Sequence, residues 1–297
     1  MELKHYHHNQ LRNSKSDSHF VENNFYYRNQ MPMQSTIFYC IGIINRINNK
    51  NKINDDFESD DISIVTAFFD IGRGSWTPDK GLPHYLQRTT DTYFDRFANM
   101  AKLDNTIVVY TSEDLAEKVW ELRKGKESET VVVVVDFEKE FDEYRDSIRK
   151  IQNNSDYLTK INPNQIKNPE YWNANYVLVN LLKSSFVMNS LPYSDTNLVA
   201  WMDFGYCRSE ETLCGVTKWQ YPFDVDKMHF FNIKEYVPDT YIQDIIANND
   251  VHITGPMIVG SKKTWPLLAK LVEHSTMELL KNGLIDDDQT ILLMSYL

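Results

Sequence analysis

The sequence predicts an α/β protein with a mainly parallel sheet flanked by helices. Three observations point there. Apolar runs of strand length, ending near Phe69, Tyr110, Val135 and Met202, alternate with stretches of helical period. Val131 to Val135 is an uninterrupted β-branched run, the pattern of a strand buried on both faces. The last of these runs stops at Asp203, two residues before Gly205, and in open α/β sheets ligands bind beyond the carboxyl ends of strands. A carboxylate at the end of a buried strand costs desolvation energy unless it is paired or bound to a cation.

Residues 1–61 differ from the rest. The first sixty hold ten asparagines and four of the eight histidines (His5, His7, His8, His19), with no sustained period. They read as a low-complexity, poorly ordered leader with one apolar patch, and the folded domain is expected over 62–297. The histidine cluster reads as a solvated tail, with adventitious metal binding as the rival.

Ile62 to Phe69 is the first strand, feeding the Gly/Pro-rich loop Asp70 to Pro78. That loop lacks the third glycine of a dinucleotide fingerprint, and no phosphate-binding G-x-x-x-x-G-K-[ST] occurs. Tyr85 to Ala101 carries Leu86, Tyr93, Phe94, Phe97 and Met100 at helical spacing. Thr106 to Tyr110 is the second strand. Ser112 is placed to cap the next helix, with Glu113 and Asp114 in its first turn and Gly125 beyond its end. The valine run is the third strand, and Asp136 reads as a helix cap. Asn153 to Pro169 is a long loop or short insertion, Tyr171 to Met188 one amphipathic helix, and Asn197 to Met202 the strand before Asp203. Gly215 to Ile233 is aromatic-rich, suiting hairpins or irregular packing. His252 to Gly260 is strand-like. Thr264 opens a helix with Pro266 in its first turn and Gly283 at its stop. Asp286-Asp287-Asp288-Gln289 precedes a final apolar segment.

Bulk chemistry narrows the function classes. A net charge of −11 on 297 residues, with no dense basic stripe, argues against nucleic-acid binding but admits a small phosphate-bearing substrate. Three cysteines (Cys40, Cys207, Cys214) are too few for a disulfide framework, and none has zinc-site spacing. No secretory signal is visible, and Thr36 to Ile44 falls short of the ~20 residues of a membrane span. A cytoplasmic protein is expected.

Three stretches together carry a resemblance: Ile64-Val65-Thr66-Ala67-Phe68-Phe69-Asp70-Ile71-Gly72-Arg73-Gly74, Trp201-Met202-Asp203-Phe204-Gly205-Tyr206, and Asp287-Asp288-Gln289. The chain from about residue 62 to 297 resembles the bacterial WlaTC/HtrL (HtrL/YibB) family. That resemblance implies a GT-A type nucleotide-sugar fold and a glycosyltransferase acting in surface-polysaccharide or lipooligosaccharide synthesis. The partners implied are a nucleotide-sugar donor and a glycan or lipid-linked acceptor, with no membrane span and a peripheral place at the inner membrane. Asp288 with Gln289, and Asp287 beside them, are then expected to sit under the transferred sugar as a base or orienting pair. Asp203, Gly205, Arg73, Arg88 and Thr66 are expected at the donor, with Asp203 as ligand to Mn²⁺ or Mg²⁺. The chain departs from the usual Asp-x-Asp of GT-A enzymes, since Gly205 stands at the third position. It also ends at Leu297, before the further histidine ligand that many GT-A enzymes carry, which suggests C-terminal truncation.

Each residue has a plainer reading. Asp203 is also placed to cap a turn, Asp286 to Asp288 to start a solvated helix, and Arg88 to pair at a helix surface. His229 and His252 read as structural. At the level of the whole chain, a non-catalytic sugar-nucleotide or glycan binder is the alternative to the transferase. A protein-kinase reading of Asp203-Phe204-Gly205 fails because the chain lacks H-R-D and the strand lysine.

Overall fold

The computed structural model describes residues 61–238 and 240–297. The leader, its histidine cluster and Cys40 lie outside the described residues. Four parallel strands form the first part of the sheet: β1 (Ile62–Phe68), β2 (Ile107–Thr111), β3 (Thr130–Val134) and β4 (Leu198–Met202). Two antiparallel strands, β5 (His229–Asn232) and β6 (Ile253–Ser261), complete it, in the order β3-β2-β1-β4-β6-β5.

Helices cover both faces. Ile62, Ile64 and Phe68 point into a layer with Phe94, Phe97 and Met100 of α1 (Thr90–Met100) and Val119 of α2 (Glu113–Leu122). Val65 and Ala67 point the other way, into the larger core. That core takes side chains from α3 (Asp142–Gln152), α4 (Ala174–Leu181), α5 (Lys183–Ser190), α6 (Ile242–Asn248), α7 (Trp265–Lys281) and α8 (Asp288–Tyr296). A strand covered on both faces has no solvent side, so β1 is apolar nearly throughout and buried at all seven positions.

The chain steps outward from β1 through β2 to β3, then returns to place β4 on the opposite side of β1. This reversal opens a crevice at the carboxyl ends of β1 and β4, where open α/β sheets bind ligands. Antiparallel β6 runs beside β4, with Met202 opposite Met257, and brings Gly255 and Pro256 to the same end.

Several elements differ from the sequence expectation. The helix expected from Tyr85 begins only at Thr90, where the Thr89 hydroxyl accepts from the Thr92 amide. Leu86 lies in a separate 3₁₀ turn, so Arg88 is in a connecting segment and not on a helix. The single helix expected over Tyr171 to Met188 is two, divided at Leu182. The valine run is an edge strand with Val134 51% exposed, not a strand buried on both faces. β-Branched residues fit any pleated surface, and the run alone does not distinguish edge from centre. Gly215 to Ile233 is irregular apart from β5 and an isolated bridge between Gln220 and Asp61. Asp136 caps a helical turn, as its spacing suggests, by accepting from the Lys139 amide.

Candidate functional site

The crevice is a cavity of about 270 Å³, near the lower end of small-molecule pockets at roughly 300–1,000 Å³. Asp203 follows β4 into it, held by its backbone amide donating to the Pro256 carbonyl at 2.9 Å. One carboxylate oxygen, Oδ1, accepts from the Trp201 indole at 2.8 Å and from the Lys183 ammonium at 2.9 Å. The side chain is one-third exposed toward the cavity. Asp203 therefore does more than cap the turn that its carbonyl also makes with the Tyr206 amide.

Lys183 begins α5 and is buried. Besides Asp203 it donates to Asp288 Oδ2 at 2.7 Å and to the Gly255 carbonyl at 3.2 Å. Burial works to neutralise this lysine, but the Asp203 and Asp288 carboxylates outweigh it and hold the ammonium well above its usual pKa. Gly255 has a steric role: a Cβ there would fall 1.9 Å from Asp288 Oδ2.

The Asp286–Asp288 run starts α8, with the Asp287 side chain accepting from the Gln289 amide as its cap. It is not a solvated start. All three aspartates are buried, and Glu170, also buried, adds to the negative charge around Asp286 and Asp287. Asp286 is held by the Thr290 hydroxyl at 2.6 Å and the Asp287 amide at 2.9 Å, and burial pushes it up to about 7. Burial, then the Asp286 charge, pushes Glu170 up to about 8. Burial and the neighbouring carboxylates push Asp287 well above the usual range. Asp288 is also raised by burial, against the pull of Lys183.

The same cavity also carries arginines. Arg73 and Arg88 line the cavity with Arg208, and Arg96 stands behind Gly205. Arg73 is buried, donates to the Leu86 carbonyl and the Tyr93 hydroxyl, and stacks against Trp76 and Tyr176. Burial, then repulsion from Arg88, Arg208 and Arg73, lowers the Arg96 pKa. Among the described residues Arg88, Arg96 and Arg208 make no salt bridge. Asp70, Asp203, Asp287 and Asp288 line the same cavity, but Arg88 and Arg208 have no carboxylate partner among the described residues and are placed to meet an anion.

Asp203, Gly205, Arg73, Arg88, Asp287, Asp288 and Gln289 thus all line one cavity. Thr66 does not: it is fully buried in β1, among the side chains facing α1. Gly205 is where a side chain would crowd the Tyr93 ring, since a Cβ would lie 3.0 Å from Tyr93 Cδ1. An aspartate at that position would meet the ring. Sequence reasoning missed Lys183, Gly255, Glu170, Arg96 and Arg208. Lys183 left one signal, a charge sharing its helix face with buried Phe186 and Val187 three and four residues on.

Carboxylate and carbonyl oxygens suit Mg²⁺ or Mn²⁺ in kind. The Asp203, Asp288 and Gly255 oxygens, however, already surround an ammonium, at 2.7–3.2 Å. Among the described residues no group of three or more His, Cys, Asp or Glu side chains is placed to hold a metal. As arranged, this donor set fits the lysine and not a divalent ion. His229 and His252 instead bond the Asp224 and Glu235 carbonyls.

The family described as "Bacterial protein of unknown function (HtrL_YibB)" matches over residues 60–297. The chain belongs to this family. It is similar to Protein HtrL of Escherichia coli (strain K12), with 43% identity over 239 residues, 79% of this chain and 83% of that protein. No solved structure gives a significant match. Nor do any of the described helices have the length and apolarity to cross a membrane. The HtrL_YibB description assigns no activity, so the chemistry of the site rests on its own residues.

Proposed function

We propose that the protein is a glycosyltransferase of GT-A type, moving a sugar from a nucleotide-sugar to a hydroxyl of a surface-glycan acceptor. One observation carries the reading. A single crevice at the β1/β4 switch point is lined both by Arg88 and Arg208, which make no salt bridge among the described residues, and by the Asp288–Gln289 helix start. Arginines meet a diphosphate with charge-assisted, planar donors. A carboxylate of raised pKa is a better base for an acceptor hydroxyl, and Asp288 has that character. Gln289 is available to orient a sugar hydroxyl. Cytoplasmic donor and a glycan or lipid-linked acceptor follow from the family resemblance.

The test is release of nucleoside diphosphate from a panel of nucleotide-sugars, with Asp203→Asn and Asp288→Asn beside the wild type. Either variant leaves Lys183 one carboxylate partner, so both are expected to fold, and each loses about 100-fold or more in turnover. Full turnover in both variants would sink the assignment. A non-catalytic nucleotide-sugar binder is the second reading, favoured by the ion pair that already engages Asp288. It predicts saturable binding with no turnover across the whole panel.

A further inference from the structure

A departing diphosphate needs its charge met, and in GT-A enzymes a divalent ion commonly does this. Here Asp203, the carboxylate at the strand end where those enzymes carry Asp-x-Asp, bonds the Lys183 ammonium. An ammonium has three N–H donors, and three oxygens meet it: Asp288 Oδ2 at 2.7 Å, Asp203 Oδ1 at 2.9 Å and the Gly255 carbonyl at 3.2 Å. These contacts exceed the roughly 2.0–2.6 Å of bonds from Mg²⁺ or Ca²⁺ to oxygen. With the ammonium in place, the oxygens of this cage stand at nitrogen distances and leave no room for a metal beside it.

The lysine is also fixed in place. Its helix buries Phe186 and Val187, and its ammonium lies 5.7 Å from the centre of the Trp201 ring. No side chain at position 255 blocks Asp288 from reaching it. A dication entering the cage would have to displace this ammonium or share two carboxylates with it. Both are costly where little water screens the charges.

Resting on the transferase reading, we propose that Lys183 is the permanent cation of this site, so that nucleotide-sugar binding and sugar transfer need no divalent metal. Arg88 and Arg208 then meet the diphosphate, with Arg96 reinforcing their charge. In the transfer, the bond between the sugar's anomeric carbon and the phosphate oxygen breaks. Its electron pair leaves on the nucleoside diphosphate, whose growing charge the arginines stabilise. The acceptor oxygen bonds the anomeric carbon, and the acceptor proton passes to the Asp288 carboxylate.

The experiment has two arms, both on the full chain. Mn²⁺ alone is titrated into the wild type and followed by electron paramagnetic resonance. UDP, GDP, CDP and dTDP are then titrated calorimetrically in EDTA and in Mn²⁺. The expected result is no stoichiometric Mn²⁺ site and at least one nucleoside diphosphate whose Kd agrees within about twofold between the two buffers. Stoichiometric Mn²⁺ uptake, or binding more than about tenfold tighter with Mn²⁺, overturns the built-in cation and leaves the transferase standing. No binding of any nucleoside diphosphate in either buffer overturns both. A folded Lys183→Met protein should gain a Mn²⁺ signal at the vacated oxygens, and a folded variant without one counts against the proposal. The wild-type arms decide the matter even if that variant does not fold.

Discussion

Gly255 lies so close to Asp288 that a Cβ on the glycine would sit 1.9 Å from Asp288 Oδ2 and 2.5 Å from its Cγ. The same oxygen receives the Lys183 ammonium at 2.7 Å. β6 therefore supplies a gap through which the start of α8 reaches the buried lysine. Gly255→Ala closes it and pushes the carboxylate off its partner. We expect a loss of roughly 1–3 kcal/mol in stability, the usual range for overpacking, together with loss of turnover. Urea unfolding and nucleoside diphosphate release would show it. A variant unchanged in both would mean that Asp288 relaxes without consequence.

Lys183 and Asp288 form a buried pair, and its two halves are unequal when removed. Lys183→Met leaves a buried carboxylate without its cation, at a cost of about 3–5 kcal/mol. Adding Asp288→Asn removes the orphaned charge, and the double variant should recover more than about 1 kcal/mol over the sum of the single effects. A double-mutant cycle by urea denaturation measures this. Additive losses would show that the pair is not coupled.

Legibility in the sequence followed how local the deciding physics was. β1, β4 and β6 were readable because each is a short apolar run closed by turn residues, and α7 because Pro266 and Gly283 bracket it. Asp203 was readable as a charge directly after an apolar strand. Lys183 and Gly255 were not, because their meaning lies in contacts across 105 residues to Asp288 and 72 residues to one another. The edge position of β3 was hidden for a related reason: β-propensity reports a fit to a pleated surface and not what covers it. Burial of Asp286 to Asp288 was equally invisible, since an acidic helix start has the same sequence signature whether it faces water or Glu170.

The acidic cluster predicts an unusual pH dependence. Asp286 is pushed up to about 7 and Glu170 to about 8, both chiefly by burial. In the unfolded chain such groups ionise near 4. Between those values the folded protein holds more protons than the unfolded one, so stability falls as pH rises. The contribution is complete below about pH 4 and is lost as pH climbs through 7 to 8. Surface carboxylates such as Asp104 and Asp224, lowered by bonds to Lys126 and Lys227, act oppositely and only at acid pH. The melting temperature should therefore be higher at pH 5.5 than at pH 8.5. Asp286→Asn with Glu170→Gln should flatten that slope. A melting temperature rising steadily from pH 5.5 to 8.5 would contradict the buried, protonated state.

The cavity arginines can be separated from the fold because they differ in what else they do. Arg73 is buried and donates to the Leu86 carbonyl and the Tyr93 hydroxyl, so its removal damages packing as well as charge. Arg208 is exposed, Arg88 is half-buried, and neither has a salt bridge among the described residues. Arg208→Ala should leave stability within about 0.5 kcal/mol of wild type. Arg88→Ala and Arg208→Ala should each weaken nucleoside diphosphate binding about tenfold, the loss of one charge-assisted contact. Calorimetry at two ionic strengths separates this from a general effect, because lost cations also reduce the salt sensitivity of binding. Unchanged affinity in both variants would move the diphosphate away from these arginines and leave them without a ligand.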